Sequence, residues 1–128
     1  MSGETEAERP LDALATKLQR TELQREHSST PGREIVQVLT IIPVGVSSGW
    51  HTHPGEEVGY ILDGNVEMSI QGRPTLHLRR GHAFFIPPGT PHNALDVGPE
   101  VGRMLSTYIV AEDEALASFV TVDGAGSS

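Results

Sequence analysis

The chain has 128 residues, enough for one domain with a buried core. Its formal charge of −8, with Lys17 the single lysine among nine basic residues, excludes nucleic acid and anionic membrane as its main partners. It has no cysteine, which excludes thiol nucleophiles, disulfides and thiolate-held metals, so any metal must be bound by histidine and carboxylate.

Met1 to Pro10 is acidic and lacks the apolar segment of a secretory leader, so a cytoplasmic location is expected. Leu11, Leu14, Ala15 and Leu18 fit a helical turn or two, and residues 1–17 together read as a flexible N-terminal extension. A first strand is expected over Leu18–Gln24, then a turn at Ser28 to Gly32. Glu34–Ile42 is apolar on both faces, as in a fully buried strand. The longest nearly apolar run, Ile41 to Val46, is too short to span a bilayer.

Strand signals then recur every eight to twelve residues, over Gly49–His53 and Glu57–Leu62, with Asp63-Gly64 as a hairpin turn. Asn65–Gln71 alternates strictly, with Val66, Met68 and Ile70 on one face. Further strands are expected around Leu76 and Leu78, and over His82–Ile86, His92–Val97 and Val101–Val110. A last apolar stretch covers Ala115–Val122, and residues 123–128 read as a disordered tail. Many short strands between Gly- and Pro-rich turns predict an antiparallel all-β sandwich or barrel over residues 18–122.

The chemistry concentrates in Gly45–Gly64, where His51, His53 and Glu57 fall within seven residues beside a Pro54-Gly55 turn. In a strand, His51 and His53 point to one face, and imidazole with carboxylate suits borderline divalent metals. Glu56 competes with Glu57 for the carboxylate role. A second cluster runs from Gly81 through Pro87 and Gly89 to His92.

These two stretches resemble the two motifs of the cupin family. The first fits from Gly45 through His51, His53 and Glu57 to Gly64, and the second from Gly81 through Pro87 and Gly89 to His92. The resemblance covers about residues 35–109 and implies a cupin double-stranded β-helix, or jelly-roll barrel. It implies that His51, His53, Glu57 and His92 bind one divalent transition metal (Fe, Mn, Ni, Co, Cu or Zn). Its spacing selects Glu57 over Glu56. One position departs: Asp96 stands where the family usually has asparagine, and it reads either as a pocket carboxylate or as the cap of the turn into Val97-Gly98-Pro99.

Strand parity sends Gly59 inward, where its missing side chain would leave room for substrate. Phe84 or Phe85, Met104 and the aliphatic residues of the Glu34–Ile42 strand would form apolar walls, with Arg103 the one cation that could face them. That composition predicts a small, weakly charged organic substrate. The chain is similar to small cupins described as quercetin-dioxygenase-like, which implies a metal-dependent oxygenase with Glu57 as a possible proton acceptor. A non-redox lyase, isomerase or dehydratase is the alternative, with Tyr60, His82, Asp96 and Tyr108 as further proton-transfer candidates. A third reading is a metal-dependent binding module without turnover. The resemblance also implies a homodimer, joined through Leu18–Gln24 and Ala115–Val122.

Overall fold

Successive strands of this chain step from one sheet to another, and that stepping builds the site. The computed structural model describes residues 11–122; the expected mobile residues before 11 and the tail from 123 lie outside them. A 3-10 turn, Ala13–Thr16, precedes β1 (Gln19–His27) and β2 (Arg33–Ile42). Then come β3 (His51–Thr52), β4 (Gly55–Asp63), β5 (Asn65–Ile70), β6 (Leu76–Arg79) and β7 (Ala83–Ile86). The last three are β8 (His92–Asp96), β9 (Gly102–Ala111) and β10 (Ser118–Phe119). The first sheet has the order β1-β2-β9-β4-β7 and the second β10-β3-β8-β5-β6, with every paired strand antiparallel. The all-β jelly-roll reading holds.

From β2 onward the chain changes sheet at every connection except the β5–β6 hairpin. The Asp63-Gly64 turn is therefore no hairpin. It carries the chain from the first sheet into the second, and Gly64 makes the crossing at φ 92°, with Gly102 Cα only 2.7 Å from where a Cβ would lie. Local turn chemistry signals a reversal but does not say which sheet receives the next strand.

Alternation is the dominant packing rule. β2 has Val36, Val38, Thr40 and Ile42 buried, whereas Ile35 is 38% exposed and Leu39 and Ile41 are half-buried. Its expected two-sided burial is thus corrected: one face meets the core, and the other lies on the outside of the sheet. The core has two apolar clusters, one around Ile42, Ile61, Met68, Phe84 and Met104, the other around Val36, Val38, Tyr108, Val110 and Leu116. Along β2 and β9 the buried polar residues Thr40 and Ser106 stand where one cluster gives way to the other. Leu14 and Leu18 are buried within the first cluster, so the segment after residue 11 is seated on the barrel. Among the described residues no helix is long and apolar enough to cross a membrane.

Candidate metal centre

Four buried side chains converge between the sheets. His51 on β3 pairs across the second sheet with His92 on β8, and His53 follows β3 directly. Glu57 enters from the first sheet, where its cross-strand neighbours are Ile86 and Tyr108. None of the four is more than 3% exposed. The three imidazole rings stand 4.2–5.0 Å apart between centroids, and the His53 and His92 Nε2 atoms each lie 3.2 Å from Glu57 Oε1.

Each imidazole is oriented by a backbone carbonyl. Nδ1–H of His51 donates to Gly49 O at 2.7 Å, that of His53 to Leu116 O at 2.7 Å, and that of His92 to Thr90 O at 2.9 Å. A carbonyl only accepts, so Nδ1 carries a proton and each ring turns its Nε2 and lone pair to the centre. Glu57 Oε1 adds a fourth set of lone pairs. Acceptors packed this closely repel unless a cation or proton lies among them. His53 Nε2 is buried with no hydrogen-bond partner. Ligand atoms on adjacent corners of an octahedron with bonds of about 2.1 Å stand about 3 Å apart, close to the observed Nε2–Oε1 separations. The residues fit a divalent metal, and the buried His51, His53 and His92 could hold one.

The charges agree with that geometry. Burial, then the neighbouring His92 and His53, holds the His51 imidazole well below its ordinary value, so it stays neutral. Burial works against the Glu57 charge, yet the His53 and His92 Nε2 atoms, each 3.2 Å from Oε1, hold its carboxyl well below the usual range. The other oxygen, Oε2, accepts from Ser106 Oγ at 2.7 Å and from the Tyr108 hydroxyl at 3.2 Å. Burial foremost pushes the Tyr108 phenol up, so it remains a neutral donor.

A small cavity adjoins these groups, lined by Leu14, Leu18, Met68, Ala94, Met104 and polar atoms of the cluster. Its volume of about 10 Å³ has room for about one water. Several expectations are corrected here. Gly59 does face inward, but a Cβ on it would lie 2.0 Å from Phe84 Cζ: the Phe84 ring, and not a substrate space, fills its gap. Phe84 is buried, while Phe85 faces outward at 49% exposure. Arg103 also points away, 3.5 Å from Asp63 on the surface. The cation that lines the cavity is Arg20, on β1, so the wall carries a charge where weakly charged surroundings are expected.

Among the proton-transfer candidates, only Glu57 and Tyr108 line the cavity. Tyr60 is outward and 45% exposed, as its parity requires. His82 is an exposed turn residue whose Nδ1 accepts from Arg79 N at 3.1 Å. Asp96 is fully buried beside Val66 and Gly102, four residues along β8 from His92, which in a strand is about 13 Å. Neither of its carboxylate oxygens has a partner, so it caps no turn and does not line the cavity. An unpartnered buried carboxylate costs stability. Asp96→Asn is therefore expected to stabilise the fold by about 1–3 kcal/mol, read as a higher melting temperature; a lower one would contradict this account.

Sequence reading missed the Leu116 carbonyl, Ser106 and Arg20. Ser106 was accessible in principle, because it shares the inward parity of Met104 and Tyr108 on β9. A backbone carbonyl leaves no residue-type signal.

The cupin domain model matches residues 38–108, more than half of the chain. The chain belongs to the cupin family. It is 26% identical over 98 residues to the HTH-type transcriptional regulator PuuR of Escherichia coli, covering 76% of this chain and 52% of that protein. It is 39% identical over 54 residues to the dimethylsulfoniopropionate lyase DddQ of Ruegeria pomeroyi, covering 42% of this chain and 27% of the lyase. This cupin thus spans about half the length of the regulator, and its likeness to the lyase in sequence covers about a quarter of that enzyme. The crystal structure of that lyase superposes with a TM-score of 0.60 at 26% identity, over 70% of this chain and 45% of the other. A double-stranded β-helix protein from Klebsiella pneumoniae superposes with a TM-score of 0.66 at 22% identity, over 92% and 94% of the two chains, and shares the fold.

Proposed function

We propose that this cupin is a mononuclear metal enzyme acting on a small organic molecule, with His51, His53, Glu57 and His92 as ligands. The observation that carries the reading is the convergence of three carbonyl-oriented imidazoles on one carboxylate, with His53 Nε2 left without a protein partner. When bound, a divalent metal in such a site supplies Lewis acidity and a template for substrate oxygen. Glu57 serves as ligand through Oε1 and as the proton acceptor through Oε2, where Ser106 and Tyr108 hold the charge.

Two reaction classes use these parts. Non-redox proton transfer, as in a lyase, isomerase or dehydratase, is favoured by Tyr108, a neutral phenol lining the cavity 3.2 Å from Glu57 Oε2. The partial likeness to a lyase supports the same class. Oxygen-dependent chemistry is supported by the nitrogen-rich donor set, which suits redox metals, and by apolar walls that include Met68 and Met104. Anaerobic purification with elemental analysis, then a panel of flavonols, catechols, 1,3-diketones and small carbonyl compounds with and without oxygen, tests both. Wild-type protein with no metal above background sinks the enzyme reading. Strict oxygen dependence selects the oxygenase, and turnover under nitrogen with zinc selects the other class. The likeness to a transcriptional regulator supports the non-catalytic alternative, which tight ligand binding without any product would select.

Tyr108→Phe is expected to lower kcat by about 100-fold on whichever substrate the panel identifies while leaving metal content intact. Unchanged kcat would remove Tyr108 from proton transfer. A homodimer remains part of this proposal, but its surface shifts. Leu116 and Ala117 are buried and β10 pairs with β3 of its own chain, whereas Val58, Tyr60 and Phe85 stand together on the outside of the first sheet. Sedimentation as a 13.8 kDa species at micromolar concentration would exclude it.

A further inference from the structure

On β1 only one side chain is drawn into the protein. Arg20 interrupts a strand whose other residues are all exposed, and its side chain is 1% exposed. It lines the cavity beside Glu57, His51 and His92. One terminal nitrogen donates to Thr40 Oγ1 at 2.7 Å and to the Tyr108 hydroxyl at 3.0 Å. The remaining donors, Nε and the other terminal nitrogen, form a two-point pair with the Asp12 carboxylate, which is itself 0% exposed. Arg20 is thus one hydroxyl away from Glu57, and its fork is held by an anion that the chain itself supplies.

The segment that supplies that anion is weakly tied. Asp12 caps the 3-10 turn by accepting from Leu14 N at 3.2 Å, and Leu14 and Leu18 extend from this segment into the cavity wall. Among the described residues, every other hydrogen bond of residues 12–17 is local. Leu14, Leu18, the partly buried Leu11 and one ion pair hold this plug on the barrel, while Arg20 is fixed by the β1–β2 ladder. With the plug seated, the cavity of about 10 Å³ admits no organic molecule. Every other cavity-lining residue except Ser48 lies in a strand, so the plug is the part of the wall that can leave without breaking a sheet.

We propose that Arg20 is the anion subsite of the pocket, that the ligand is a small carboxylate, and that Asp12 is its built-in competitor. The inference rests on the metal-enzyme reading for the other end of the ligand, which faces His51, His92 and Glu57. On entry the ligand carboxylate replaces that of Asp12 on the Arg20 fork, and Leu14 and Leu18 leave the mouth with it. Guanidinium and carboxylate match in a bidentate pair, so the exchange conserves both hydrogen bonds and charge.

Malonate and its neutral analogue malonamide are the probes, and Lys17, exposed at the end of the plug, provides the first readout. Trypsin cleavage after Lys17 in metal-free protein, followed by mass spectrometry of the fragment beginning at Leu18, reports how often the plug opens. Asp12→Asn keeps a good capping residue but removes the charge, and is expected to speed that cleavage about tenfold. Malonate is expected to speed it saturably in wild type and malonamide not to, and Arg20→Gln abolishes the malonate response. The second readout is malonate binding to zinc-loaded protein by calorimetry. Asp12→Asn binds malonate several-fold tighter than wild type, and Arg20→Lys, which keeps charge without the fork, binds it about tenfold more weakly. Unchanged cleavage in Asp12→Asn, equal responses to malonate and malonamide, or no gain in affinity in Asp12→Asn each overturns the proposal. If wild type holds no zinc, the metal-enzyme reading fails, and proteolysis of the metal-free protein still decides the role of Arg20.

Discussion

Replacing His53 with alanine is expected to reduce bound metal from about one equivalent to background, with a loss of affinity well beyond 100-fold. Changes to residues that only orient a ligand already cost about 10- to 100-fold, and removing the ligand removes a bond as well. His53 is the sharpest place to test this because Leu116 O fixes its ring and its Nε2 has no protein partner. A second readout guards against a fold defect. Metal at 100 times its dissociation constant stabilises a protein by about 2.7 kcal/mol, so wild type is expected to melt several degrees higher with zinc or manganese than without. His53→Ala, His51→Ala, His92→Ala and Glu57→Gln are expected to fold and to lose that shift. His77→Ala and His82→Ala change surface histidines and are expected to keep it. Full metal content and an undiminished thermal shift in His53→Ala would overturn the ligand assignment.

The contrast between His53 and Arg20 shows what a sequence can disclose about such a site. Two histidines and a glutamate at short range, with His92 in a second glycine- and proline-rich cluster, point to one another because strand parity and turn residues are local properties. Arg20 has no such mark. It lies on a strand whose other residues are all exposed, and its burial depends on the plug folding over it and on Thr40 and Tyr108 accepting from it across two other strands. The same limit applies to Asp63-Gly64, where the turn is evident and the change of sheet is not, and to the Leu116 carbonyl, which reaches His53 from 63 residues away. Ala115–Val122 is apolar in part because Leu116 and Ala117 close the core beside the imidazoles, while its Phe119 and Val120 stand exposed. Strand parity was accurate for Gly59, yet parity cannot say what fills the space that a missing side chain leaves.

Gly55→Ala is expected to cost more than any other single methyl added to this barrel, and comparison with Gly59→Ala shows why. Both glycines face inward on β4, two residues to either side of Glu57. At Gly59 the obstacle is the Phe84 ring, with Cζ 2.0 Å from the added carbon, and a ring can rotate or be replaced. At Gly55 the obstacle is backbone: Ile109 O at 1.9 Å and Val110 Cα at 2.8 Å. Accommodation there must separate β4 from β9, the central strand of the first sheet, and disturb the Gly55–Val110 register that leads into Glu57 and Tyr108. Overpacking a core typically costs about 1–3 kcal/mol, and Gly59→Ala belongs in that range. Gly55→Ala is expected to exceed about 4 kcal/mol, a large part of the roughly 5–15 kcal/mol that stabilises a domain. The double-mutant cycle separates the two causes. Phe84→Leu is expected to recover much of the loss in Gly59→Ala, as a coupling of about 1 kcal/mol or more in urea unfolding, and none of the loss in Gly55→Ala. Equal rescue of both would mean that the strands can move apart to admit a side chain. In that case β4 would not hold Glu57 rigidly enough to keep Oε1 at 3.2 Å from two imidazoles at once.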